Sequence, residues 1–117
     1  ASGQILSRFS AADSLRKGID IKGKSGEPVI AARGGSVVYA GSGLAGYGEL
    51  IIVKHDEQFL SAYGHNSKLS VKEGDEVSAG QKIAEIGSSG TDTDKLHFEI
   101  RFEGKPVDPL QYLPKKK

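Results

Sequence analysis

Lys95-Leu96-His97-Phe98-Glu99-Ile100-Arg101-Phe102 alternates apolar and polar side chains without a break. A strand turns successive side chains to opposite faces, so Leu96, Phe98, Ile100 and Phe102 share one face, and His97, Glu99 and Arg101 share the other. The apolar face predicts core. The histidine face predicts the floor of a cleft or a solvated surface.

Working outward, the same period of two recurs in Lys82-Ile83-Ala84-Glu85-Ile86. Leu50-Ile51-Ile52-Val53-Lys54-His55 leads through Asp56-Glu57 into Gln58-Phe59-Leu60-Ser61-Ala62-Tyr63-Gly64-His65, which predicts a hairpin. Ser36-Val37-Val38-Tyr39-Ala40 is fenced by Gly34-Gly35 and Gly41. Val71 to Ala84 reads as a further hairpin-like unit, with Gly74 and Gly80 where the chain must turn through positive φ and Val71, Val77 and Ile83 as buried anchors. Lipoyl and biotinyl carrier domains use a similar hairpin, but no lysine tip of the carrier kind is present. Sixteen glycines and four prolines among 117 residues fit many short strands joined by turns, with little helix.

The length suits one domain, with residues 1–10 as a leading segment and 114–117 as a solvated tail, and the chain reads as a domain excised from a longer protein. Sixteen basic and fifteen acidic residues leave a net charge of +1, which offers no electrostatic case for nucleic acid. The absence of cysteine excludes disulfides, thiolate metal sites and a thiol nucleophile. No apolar run approaches the roughly 20 residues a bilayer-spanning helix needs, and no membrane contact by this segment is expected.

Two strings carry the chemistry: Arg16-Lys17-Gly18-Ile19-Asp20 and Lys95-Leu96-His97-Phe98-Glu99. Together with Tyr63-Gly64-His65, the stretch from Val71 to Gly90, and Val107-Asp108-Pro109-Leu110, they resemble in order and spacing the LytM-type (M23) peptidoglycan endopeptidase domain, from about Arg16 to Leu113. The resemblance implies an antiparallel, barrel-sandwich-like β fold. It also implies a zinc held by three side chains, whose places here are Arg16, Asp20 and His97, with His65 and Lys95 at the two proton-handling places. Arg16 and Lys95 have no lone pair to donate. They also bring positive charge where a dication would sit; a unit charge facing a unit charge at ~4 Å is worth roughly 4 kcal/mol at an effective dielectric of ~20. The expectations are therefore no cofactor, no hydrolysis, and Arg16 paired with Asp20 as a vestige of the metal site.

That pattern of loss resembles the NlpD-type members of the family. The resemblance implies a non-catalytic domain that activates an N-acetylmuramoyl-L-alanine amidase during cell separation, in the periplasm of a Gram-negative bacterium, as part of an outer-membrane lipoprotein with an N-terminal LysM module. A monomer is expected, with possible partners extending to peptidoglycan itself. The groove residues expected to meet a partner are Arg16, Lys17, Asp20, Tyr47, His65, Lys95, His97 and Arg101, with Tyr47 or Leu44 as an apolar anchor. His65 reads equally as a strand histidine satisfied by a backbone carbonyl and as a retained binding group; His55 reads as structural. Two alternatives are an endopeptidase with a non-standard ligand set and a plain peptidoglycan-binding module.

Overall fold

The computed structural model describes residues 5–7, 9–10 and 17–111. Among these, ten strands run in chain order: β1 (Ile5–Ser7), β2 (Ile19–Lys22), β3 (Pro28–Ile30), β4 (Gly35–Gly41), β5 (Glu49–Lys54), β6 (Phe59–Leu69), β7 (Glu76–Val77), β8 (Lys82–Ile86), β9 (Lys95–Phe102) and β10 (Lys105–Val107). One turn of 3-10 helix, Pro109–Gln111, follows. The fold is the antiparallel β architecture expected.

The main path of the sheet is β1-β2-β9-β6-β5-β4-β7, with β10 on β9 and β8 bridging β6 to β3. The predicted β5–β6 hairpin forms, with Ile52 opposite Ala62 and Lys54 opposite Leu60. The unit from Val71 to Ala84 departs from expectation. Gly74 and Gly80 do turn at φ of 97° and 81°, but β7 pairs with β4 and β8 with β3 and β6, so the two strands never meet. The rest of the sheet separates them: Val77 and Ile83 are buried in the same core, but β7 ends the main path beside β4 while β8 fills the place between β6 and β3. The leading segment also contributes more than expected, because Ile5–Ser7 pairs with β2. Residues 112–117 lie outside the described residues.

The core gathers Ile19, Ile21, Val29, Val37, Ile51, Val53, Tyr63, Ile83, Ile86, Leu96, Phe98 and Ile100. At about 25 cal/mol per Å2 of apolar surface removed from water, this cluster is the main stabilising term. The β9 alternation holds as read: Leu96, Phe98 and Ile100 are buried, and Phe102 stacks on Phe59 at 5.0 Å between ring centroids.

A directional hydrogen-bond chain ties the back of the sheet together. The amide of Ala32 donates to the Tyr63 hydroxyl (2.9 Å), which donates to Ser61 Oγ (2.7 Å). Ser61 Oγ in turn donates to His55 Nε2 (2.7 Å), while His55 Nδ1 donates to the Gly34 carbonyl (2.8 Å). A carbonyl can only accept, so a neutral His55 ring carries its proton on Nδ1 and accepts from Ser61 Oγ at Nε2. His55 is thus structural, as its position suggested.

Candidate functional site

The register of three strands builds the site. Asp20 on β2 lies opposite His97 on β9, and His97 lies opposite Gly64 on β6. Lys95, His97, Glu99 and Arg101 alternate onto one face of β9, and Asp20 meets that row from β2. Gly64 leaves room on the third strand, since a Cβ there would stand 3.2 Å from the Tyr47 carbonyl. The loop carrying Tyr47 can then fold over the row, and the Tyr47 and His97 rings sit 5.6 Å apart.

The row is a chain of alternating charges. Lys95 Nζ donates to Asp20 Oδ2 at 3.1 Å, and His97 Nδ1 donates to Asp20 Oδ1 at 2.6 Å. His97 Nε2 donates to Glu99 Oε2 at 2.8 Å. Arg101 donates to Glu99 Oε1 through Nε (3.0 Å) and Nη2 (2.9 Å), and Nη2 also reaches the Tyr47 hydroxyl at 3.4 Å. Glu99 has no exposed surface, and a buried carboxylate is tolerated only where it is paired and hydrogen-bonded.

These contacts set the protonation states. Burial opposes charge on His97, but hydrogen bonds to Asp20 and Glu99 and their charges outweigh it and hold its pKa at about 9, so the ring is an imidazolium. Burial likewise raises Glu99, yet the bonds from His97 and Tyr47 and the nearby cations bring it down to about 2. Asp20 is also lowered, burial being overcome by His97 and then Lys95. Burial and the Glu99 carboxylate push the Tyr47 hydroxyl up to about 12. His65 differs: burial lowers its pKa, and its Nδ1 donates to the Ser89 carbonyl at 2.7 Å, leaving Nε2 as an acceptor on a neutral ring 6.0 Å from His97.

The expected site residues therefore divide. Asp20, Tyr47, Lys95, His97 and Arg101 form one bonded network, with His65 beside it. Lys17 is exposed. Arg16 and its expected pairing with Asp20 lie outside the described residues; within them, the two Asp20 oxygens are taken by Lys95 and His97. Lys95 is accordingly committed inward, and Tyr47 is a wall of the site rather than a protruding anchor. Two participants had not been singled out. Glu99 was on the right face of the β9 alternation, but a strand pattern alone does not distinguish a sealed carboxylate from a solvated one. Ser89 acts through its carbonyl and through an Oγ bonded to the Asn66 carbonyl and the Glu49 amide, roles that leave no mark in a sequence pattern.

A catalytic zinc, implied by the fold family, does not fit this donor set. It wants three side-chain donors and an open position. Among the described residues no three His, Cys, Asp or Glu side chains are grouped to hold a metal. The remaining two, Asp20 and His97, share their site with the Lys95 ammonium, and the imidazolium has no free lone pair.

The model for peptidase family M23 matches residues 14–109. The chain belongs to peptidase family M23. It is 66% identical over 116 residues to the Lipoprotein NlpD/LppB homolog of Pseudomonas aeruginosa, covering 99% of the chain and 39% of that relative. It is 54% identical over 114 residues to the Murein hydrolase activator NlpD of Escherichia coli, covering 97% of the chain and 30% of that relative. The chain thus spans well under half the length of these two curated relatives. Among solved structures, a zinc containing peptidase from Vibrio cholerae superposes with a TM-score of 0.86 at 30% identity, over 96% of this chain and 37% of that one. An M23 fold similar to that of a zinc-containing peptidase here carries a lysine salt-bridged to Asp20.

Proposed function

We propose that this M23 domain does not hydrolyse peptidoglycan and instead switches on a cell-wall N-acetylmuramoyl-L-alanine amidase, in the periplasm and as part of an outer-membrane lipoprotein. One observation carries the reading: the Lys95 ammonium lies 3.1 Å from the Asp20 carboxylate. A cation on the protein's own chain neutralises that carboxylate, so the groove is preorganised without a metal. The name of the Escherichia coli relative, a murein hydrolase activator, supports the same reading.

Activation requires only that the domain bind the open form of the amidase better than the closed form, since a ligand moves a conformational equilibrium solely through that difference. The test is dye release from labelled sacculi. The domain alone should release nothing with or without zinc, and should accelerate release by an amidase. Zinc-dependent cutting of muropeptide cross-links by the domain alone would install the endopeptidase reading in its place.

A further inference from the structure

Leu50 and Ala62 are buried apolar residues that stand apart from the main core cluster. They belong to the opposite face of the sheet, the face that carries His97. With Leu44, Tyr47, Ile52, Leu60, Glu99 and Arg101 they line a cavity of about 170 Å3. That volume compares with the roughly 150 Å3 apolar cavity that accepts a benzene ring. It is therefore the size for one branched or aromatic side chain. Leu44, on the loop above it, is 44% exposed.

The charged groups flanking the Leu60 floor of the cavity are cations. Leu60 lies opposite Arg101 on β9 and opposite Lys54 on β5, so a cation flanks this floor residue on either side. Lys54 also meets Glu57 at 3.6 Å, a contact open to solvent and weak for that reason. Among the described residues the bonds of Arg101 run through Nε and Nη2, leaving Nη1 for a further acceptor, and its side chain is 31% exposed. The single carboxylate in the lining, Glu99, is sealed and already paired with His97 and Arg101.

We infer that this cavity is the receptor for one apolar side chain of the partner polypeptide, carried next to an acidic residue whose carboxylate meets Arg101. The inference rests on the activator reading and deepens it. It also reverses the direction of the expected anchor: the apolar group comes from the partner, and Tyr47 is a wall of its socket. Binding energy in an interface concentrates in a few side chains seated in well-packed, desolvated pockets that the surrounding contacts seal from water.

Two variants and one small probe test it. Ala62→Phe fills the cavity from its floor, and Leu44→Ser removes an exposed wall, so at least the second keeps the fold; melting temperatures of both are recorded. In the amidase dye-release assay each folded variant should need at least tenfold more domain for half-maximal activation. In NMR titrations of the wild-type domain, 4-methylpentanoate should shift the amides of Leu44, Ile52, Leu60 and Ala62, and 4-methylpentan-1-ol should shift them less. Folded variants that activate like wild type would overturn the inference and leave the activator reading standing. A stem tetrapeptide that occupies the cavity while the variants activate normally would assign it to peptidoglycan and also overturn the inference. A wild-type domain that accelerates no amidase would sink the activator reading, and the polypeptide occupant with it, whereas saturable shifts by 4-methylpentanoate would still support a socket for an apolar carboxylate.

Discussion

Asp20 is the residue on which the network turns, because its two oxygens separate two cations. Lys95 and His97 approach it at 3.1 and 2.6 Å, and its side chain is 18% exposed. Asp20→Ala would leave an ammonium and an imidazolium facing each other with nothing between them. Removing one member of a partly buried set leaves the others uncompensated, so we expect a loss of roughly 3 kcal/mol in urea unfolding. The double variant Asp20→Ala/Lys95→Ala should cost less than the sum of the two single variants, since both break the same contact. Additive losses would mean that the two side chains do not act on one another. The identity of Lys95 and Asp20 was legible in the sequence, because the resemblance places both at the site. Their pairing was not: residues 75 positions apart meet only through the β2–β9 register, and a sequence pattern carries no register.

The loop across residues 42–48 and the turn across 88–90 act as one element. Gly48 has φ of 63°, and a Cβ there would lie 2.2 Å from the Ser89 carbonyl oxygen. His65 is clamped between the two segments: its amide donates to the Tyr47 carbonyl at 2.7 Å and its Nδ1 to the Ser89 carbonyl at 2.7 Å. It also sits at φ of 65°, a strain of order 1–3 kcal/mol that persists only while the surroundings enforce it. Gly48→Ala adds its own positive-φ cost and pushes the segments apart, so it should destabilise the domain by roughly 2 kcal/mol. Hydrogen exchange at the His65 amide should quicken beyond the global effect, and unchanged exchange there would show the clamp to be unimportant. At this scale the strands were readable because each presents one face to the core. The turn glycines at 74 and 80 were readable too. Which strand β7 and β8 would join was not, because their short apolar anchors fit either neighbour, and the choice is made by the rest of the sheet.

For the molecule as a whole, the buried charge row makes stability depend on pH, and the direction follows from the two large shifts. His97 is raised from 6.5 to about 9, so its protonation favours the folded state. That contribution is full below pH 6.5 and is lost as pH rises through about 9. Glu99 is lowered from 4.5 to about 2, so its contribution is full above pH 4.5 and is lost as pH falls through about 2. Either change is worth roughly 3 kcal/mol, counted once because the two groups share a hydrogen bond. The melting temperature should therefore be highest between about pH 4.5 and 6.5 and should decline from there toward pH 9. His97→Gln keeps a polar side chain on β9 but cannot charge, so it should flatten the alkaline decline while lowering stability at pH 6. A wild-type curve flat from pH 6.5 to 9 would mean that His97 is neutral in the folded chain. In that case one ring nitrogen would point a lone pair at a carboxylate, the alternation of charge would break at its centre, and the Lys95–Asp20 pair would be left as the contact that holds the groove in shape.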